Sequence, residues 1–239
     1  MSLEEYVAAQ RSNSDSVKII PHFSILVAGM HELYEYSLSV IPRATHPIFL
    51  KLYLLCHKSF LSAATLIGQC QPDDAAPITR RGIEIAKTSL ALKFKEENWE
   101  KWTEYEKRLD RWKKREEGKK PPPFSPKLDL PKDHPILKRL GAQIGMLSDA
   151  WVHFTPEFLN SQNWKDRTDI EPPMVYLVYF ISDQRIIERE LVLMGGTHID
   201  IHYIFDECFD NAFTKNEEWQ KKIGALGLEG MRLSKYFER

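Results

Sequence analysis

The chain has 239 residues, 43% hydrophobic and 28% charged, with thirty-three basic side chains against thirty-four acidic ones. That length can bury a sizeable core and fits a single domain over residues 1–239; the composition excludes disordered, collagen-like and disulfide-framework chains. A formal net charge of −1 supplies no global field to draw the chain onto nucleic acid or an anionic membrane, so binding of that kind has to be local.

In chain order, Ile20, Phe23, Val27, Met30, Tyr34 and Leu38 recur at three or four and predict a helix over 16–40, ended by Pro42. The next helix, capped by Thr45 with Pro47 in its first turn, runs to about Gln69 and is apolar on most sides, which predicts the central helix of a bundle. After the turn QPDD, Asp73 or Asp74 caps a helix that runs to about Glu117, either bent near 94–98 or leaving the body as an arm. Pro121, Pro122, Pro123, Pro126 and Pro131 then require an extended connection, so 95–131 reads as an inserted charged arm with its Pro-rich return.

A fourth helix fits Asp133 to Phe154, with Pro135 in its first turn and Pro156 just beyond its end. MVYLVYF (174–180) has the β-branched and aromatic content of a short strand, with a partner near Arg167 to Ile170. Ser182 then caps a helix to about Phe213, broken or kinked at Gly195-Gly196, and a short helix follows from Asn216 to Arg239. The expected fold class is mainly α: a helical bundle with a long charged helical arm and a small β-hairpin before the C-terminal helices.

Cys56, Cys70 and Cys208 are widely spaced and form no CxxC, which favours reduced thiols in the cytoplasm. The first twenty residues carry acids and lack an apolar run, so no export signal is expected. The most apolar stretch, 47–68, is interrupted by Lys51, His57 and Lys58, and no membrane partner is expected.

Polar residues in costly places are the candidates for function. Asp149 and His153 lie one helical turn apart in MLSDAWVHFTPE, where a carboxylate beside an imidazole suits proton transfer. The competing reading is a helix-end pair, with Ser148 and Asp149 partly exposed. Gly141 and Gly145, four apart, predict close approach by another helix. From DDAAPITRRGIEIAK onward, Arg80, Ile83, Lys87, Leu90 and Phe94 share a seam and Arg80 and Glu84 are four apart, so one basic and one acidic group border the core, and a buried guanidinium there would need Glu84 or Asp149 as acceptor. Arg81 is the next candidate; the competing reading is an ion pair that fixes helix register. Lys51, Lys58, Ser62, Thr65 and Gln69 form a polar line that faces either a pocket, as binding residues, or solvent. His57 beside it reads as a satisfied core histidine.

His198, His202 and Asp206 are successive turns of one helix, but Ile199 stands where a zincin needs glutamate, and no ExxH occurs. Two histidines make half a closed site, so no metal ligands and no cofactor are assigned. Trp99, Trp102, Tyr105, Leu109 and Trp112 line one side of the arm, whose basic end, Lys107 to Lys120, could meet the phosphates of RNA. The alternative is packing of these aromatics on the same chain or on a second copy.

The segments SAATLIGQCQPDDA, TRRGIEIA and LSDAWVH, over about residues 45–155, resemble helical proteins of the HEPN superfamily and abortive-infection proteins of phage defence. The resemblance implies a helical bundle, often dimeric, and in some members metal-independent RNA cleavage by an arginine and a histidine four to six residues apart on one helix. This chain has no such pair; only Arg80 or Arg81 with His153, from different helices, could replace it. The expected function is a cytoplasmic, self-associating binding or regulatory protein, in phage defence or stress response. The alternative is a metal-independent ribonuclease in which His153 exchanges protons and Arg80 or Arg81 stabilises phosphate charge.

Overall fold

A computed structural model describes residues 2–18, 21–113, 126–151, 164–167, 174–177 and 183–237. His153, the basic end of the arm from 114, and the prolines at 121–123 lie outside the described residues, as do the side chains of Ser148 and Asp149. Among the described residues there are eight helices: α1 Leu3–Lys18, α2 Pro21–Val40, α3 Pro47–Gly68, α4 Pro72–Phe94, α5 Glu97–Lys113, α6 Pro135–Trp151, α7 Gln184–Cys208 and α8 Glu217–Phe237. Two four-residue segments between α6 and α7, β1 Trp164–Arg167 and β2 Met174–Leu177, run antiparallel with Trp164 opposite Leu177. The molecule is a mainly helical bundle.

The first predicted helix, 16–40, corresponds to α2, and α1 ahead of it was not expected. The N-cap of α3 is His46 rather than Thr45: the residue before a proline is pushed to extended backbone, His46 has ψ 128°, and its Nδ1 accepts from Ile48 N at 3.3 Å. α4 starts at Pro72, one residue ahead of the predicted aspartate caps, after Gln71, whose side chain makes no capping bond. The long third helix breaks where a bend was expected, because Lys95 is extended (φ −140°, ψ 135°) and α5 starts two residues later.

The centre of the bundle is α7, not α3. α7 packs against α2, α3, α4, α6 and α8. It buries Ile187, Leu191, Met194, Ile201, Ile204 and Phe205 together with His198, His202 and Asp206. α3 instead shows Leu50, Leu54, Leu55 and Leu61 on its outer side. By length and composition α3 is apolar enough to cross a membrane, but half of its apolar window is buried by other helices. The break considered at Gly195-Gly196 does not occur: α7 is one continuous 25-residue helix, started by Asp183, whose Oδ1 accepts from Arg185 N at 2.9 Å. Burial along its whole length outweighs the roughly 1 kcal/mol that each glycine costs in a helix.

The polar groups of α7 bind neighbouring elements. Arg139 of α6 holds Asp200 through both carboxylate oxygens, at 2.5 and 3.1 Å. His134, just before α6, meets Glu207 at 2.8 Å. Asp206 Oδ1 accepts from Phe213 N at 2.7 Å and Thr214 N at 3.1 Å and so fixes the turn into α8. Asp206 is therefore a structural acceptor, not the last member of a metal ladder. Gly141 and Gly145 face no described atom within 4 Å; the close approaches are at Gly29, beside Leu226, at Gly68, where a Cβ would lie 3.1 Å from Phe23, and at Gly82, where it would lie 3.4 Å from Ile201 and 3.5 Å from His198.

Candidate functional site

Three of the sequence candidates do meet in one place. The outer face of α4 presents Arg80, Arg81, Glu84, Lys87 and Thr88 to a groove of about 770 Å³, floored by Pro77 and Ala91 and walled on the far side by Pro126 to Leu130, with Lys127 reaching in. The far wall is held in place from the α4–α5 break. Asn98, fully buried, donates Nδ2 to Ala91 O at 2.6 Å and to Asp129 O at 2.9 Å, and accepts from Asp129 N at 2.9 Å. The Asp129 carboxylate binds Lys101 at 2.9 Å and Lys95 at 3.4 Å, and these ammonium groups hold it below the usual carboxylate range.

The residues are not arranged as the sequence suggested. An Arg80–Glu84 pair bordering the core was expected; Glu84 is instead bound by Lys87 at 3.5 Å, both on the open side. Neither Arg80 nor Arg81 has an ion-pair partner among the described residues. The groove therefore carries four cations and one carboxylate, itself already engaged. Lys58 and Ser62 are exposed on the outer face of α3, on the solvated side rather than in a polar seam, and Glu84 is occupied elsewhere. The end of α6 that carries Ser148 and Asp149 does lie against the start of α4: Leu147 lines a small void with Ala75, Ala76 and Thr79.

A second polar cluster, which sequence reading did not assemble, runs from the interior of the bundle to its surface at His31 and Glu35. α2 contributes His31, Tyr34 and Glu35; α3 contributes Tyr53 and His57; α7 contributes His198 and His202. Tyr34 Oη meets His198 Nδ1 at 2.7 Å, and Tyr53 Oη meets His202 Nδ1 at 3.1 Å. The Tyr34 ring lies flat on His57, centroids 4.5 Å apart and planes at 9°. His57 in turn meets His31 Nδ1 through Nε2 at 2.9 Å and faces Glu35 Oε1 with Nδ1 at 3.8 Å. Nε2 of His198 and of His202 is buried with no hydrogen-bond partner among the described residues.

Burial sets the protonation of this cluster. It holds His198 down to about 3, helped by nearby His57, and His202 well below the ordinary imidazole value. It pushes both tyrosines well above the usual phenol range. His57 is lowered by burial and by His31, against a smaller opposing pull from Glu35. His57, His198 and His202 are therefore held neutral at physiological pH, the form in which an imidazole nitrogen can accept a hydrogen bond or ligate a metal. The available sequence signal was three histidine or tyrosine pairs at helical spacing, 31/34, 53/57 and 198/202. Each alone is half a site, and only the packing of α2, α3 and α7 joins them.

No family model, curated protein or solved structure matches the chain.

Proposed function

We propose that the chain is a helical-bundle binding protein whose α4 groove takes a phosphate-bearing ligand, with single-stranded RNA as the form that best uses its length and charge. The observation that carries this reading is the excess of cations in the groove: Arg80, Arg81, Lys87 and Lys127 against Glu84 alone, over a floor of proline and alanine. Guanidinium groups without carboxylate partners are available to phosphate oxygens, and the apolar floor accepts ribose and base surface. Cytoplasmic location, self-association and a role in phage defence or stress response belong to this proposal as its setting.

A metal-independent ribonuclease is the second reading, favoured by the contact between the start of α4 and the end of α6, the helix that carries Asp149. The first test is titration of a fluorescein-labelled oligouridylate in the presence of a chelator, comparing the native chain with Arg80→Glu/Arg81→Glu. Loss of binding in the variant supports the groove; equal binding by both removes it. Intact RNA recovered from both the native chain and His153→Ala removes the ribonuclease.

A further inference from the structure

We propose that His31, Glu35 and His57 form a binding site for a divalent first-row transition ion of the zinc class, with one coordination position left open on the surface side. One ligand atom from each of the three lies within 4.8 Å of the other two. His31 and Glu35 are four apart on α2, so their donors leave the same helix face. His57 comes from α3 and meets them across the α2–α3 contact.

The geometry suits a metal. Tetrahedral zinc with ligands about 2.0–2.1 Å away spaces its donor atoms roughly 3.3–3.4 Å apart; here one donor atom from each residue lies within 4.8 Å of the other two, with His31 Nδ1 2.9 Å from His57 Nε2 and Glu35 Oε1 facing the other ring nitrogen of His57 at 3.8 Å. Closing the sphere takes a side-chain adjustment at His31 and Glu35 that brings both donors to one nitrogen of His57, and these are the two ligands nearer the surface. His57, 7% exposed, is held between the His31 ring and the Tyr34 ring. Tyr34 is itself fixed by His198 at 2.7 Å. The least movable ligand is thus the one the core clamps, and the entry path runs past the movable ones.

Two imidazoles and one carboxylate are the donor set of zinc sites that keep a fourth position for water or substrate. The site is separate from the α4 groove, and neither proposal depends on the other. It also differs from the His198/His202 ladder considered from sequence, because both Nδ1 atoms of that pair are taken by tyrosines.

The test uses the full chain without an affinity tag, stripped of metal and titrated with Co²⁺ alone, then with Zn²⁺ as competitor. The expected result is one Co²⁺ per chain, with the strong visible absorption of a four- or five-coordinate ion, abolished by Zn²⁺. Glu35→Gln and His31→Ala each weaken binding by about 100-fold or more, beyond the usual cost of losing a mere supporting contact. His134→Ala, which removes a histidine paired with Glu207 elsewhere, leaves it unchanged. Absence of a Co²⁺ spectrum overturns the proposal, as does binding that survives both ligand substitutions. If the variants fail to fold, X-ray absorption of the Zn²⁺-loaded native chain decides. A nitrogen and oxygen shell with two imidazoles is expected, and a shell containing sulfur or lacking imidazole refutes the site.

Discussion

Replacing His198 with asparagine tests whether the imidazoles inside the bundle are as dry as the structure places them. Asparagine keeps a polar atom near Tyr34 Oη but cannot titrate. In the folded chain His198 is held at about 3 by burial, whereas in the unfolded chain it titrates near 6.5. Above 6.5 both states are neutral and the residue adds no pH dependence. As pH falls below 6.5 the unfolded chain takes up a proton that the folded chain refuses. Stability is therefore lost progressively down to about pH 3. Between pH 7 and pH 5 the loss from this one residue is about 2 kcal/mol, at roughly 1.4 kcal/mol per pH unit below 6.5. His202, also depressed by burial, adds a loss of the same sign. Urea unfolding followed by circular dichroism at pH 7, 6 and 5 reads the effect, and other titrating groups cancel in the difference between native chain and variant. His198→Asn is expected to lose about 2 kcal/mol less than the native chain over that range. Parallel stability profiles would mean that His198 takes up its proton in the folded state, and the dry-core reasoning would be wrong.

Asp73→Asn has the opposite dependence: burial, with Asp74 and Glu190 close by, pushes this carboxyl up to about 7. Its penalty is absent below about 3.8, grows to pH 7 and is complete above it, so the substitution should stabilise by about 1–2 kcal/mol at pH 8, after discounting for partial exposure, and by nothing at pH 4. Thermal melts at the two pH values check this, and an equal gain at both refutes it. Asp206→Ala removes the acceptor of two backbone N–H groups, one of them buried, and should lower unfolding free energy by about 2 kcal/mol; a change under about 0.5 kcal/mol, the usual size for a surface substitution, would deny it the turn-fixing role. Trp99 already packs against Phe49 and His46 of its own chain, with centroids 5.9 and 4.8 Å away, so self-association through the arm has to use its outer part. Deleting 106–120 should convert a dimer to a monomer by light scattering, and an unchanged mass rejects the arm as the interface.

Where the chain states its structure locally, sequence reading reached it. Pro47 and Pro135 mark the first turns of α3 and α6, and the apolar spacing of Phe23 to Leu38 falls within α2. α1 was missed because LEEYVAAQRSN offers no apolar stripe wide enough to separate it from a polar tail. α7 was not recognised as central because the histidines and aspartates that it buries look like surface residues until Tyr34, Tyr53, Arg139 and the turn after α7 supply their partners. Arg80, Arg81 and Glu84 were found as a group, but their direction was not: a four-residue spacing favours Arg80–Glu84 and three favours Glu84–Lys87, and the fold realises the second. The His31–Glu35–His57 cluster joins two helices, and nothing in either helix alone marks it.

The salt dependence of RNA binding tests the proposed function most directly. Lys87 being paired with Glu84, the three groove cations unpaired among the described residues, Arg80, Arg81 and Lys127, give a slope of about −2.1 in log affinity against log salt on single-stranded RNA, or an affinity loss of about 20-fold from 50 to 200 mM. Arg80→Gln/Arg81→Gln should reduce the slope to about −0.7, a loss of about 3-fold over the same range. The account predicts that shallower line in fluorescence anisotropy. An unchanged slope in the double variant would contradict it, because the phosphates would then be held by some other surface.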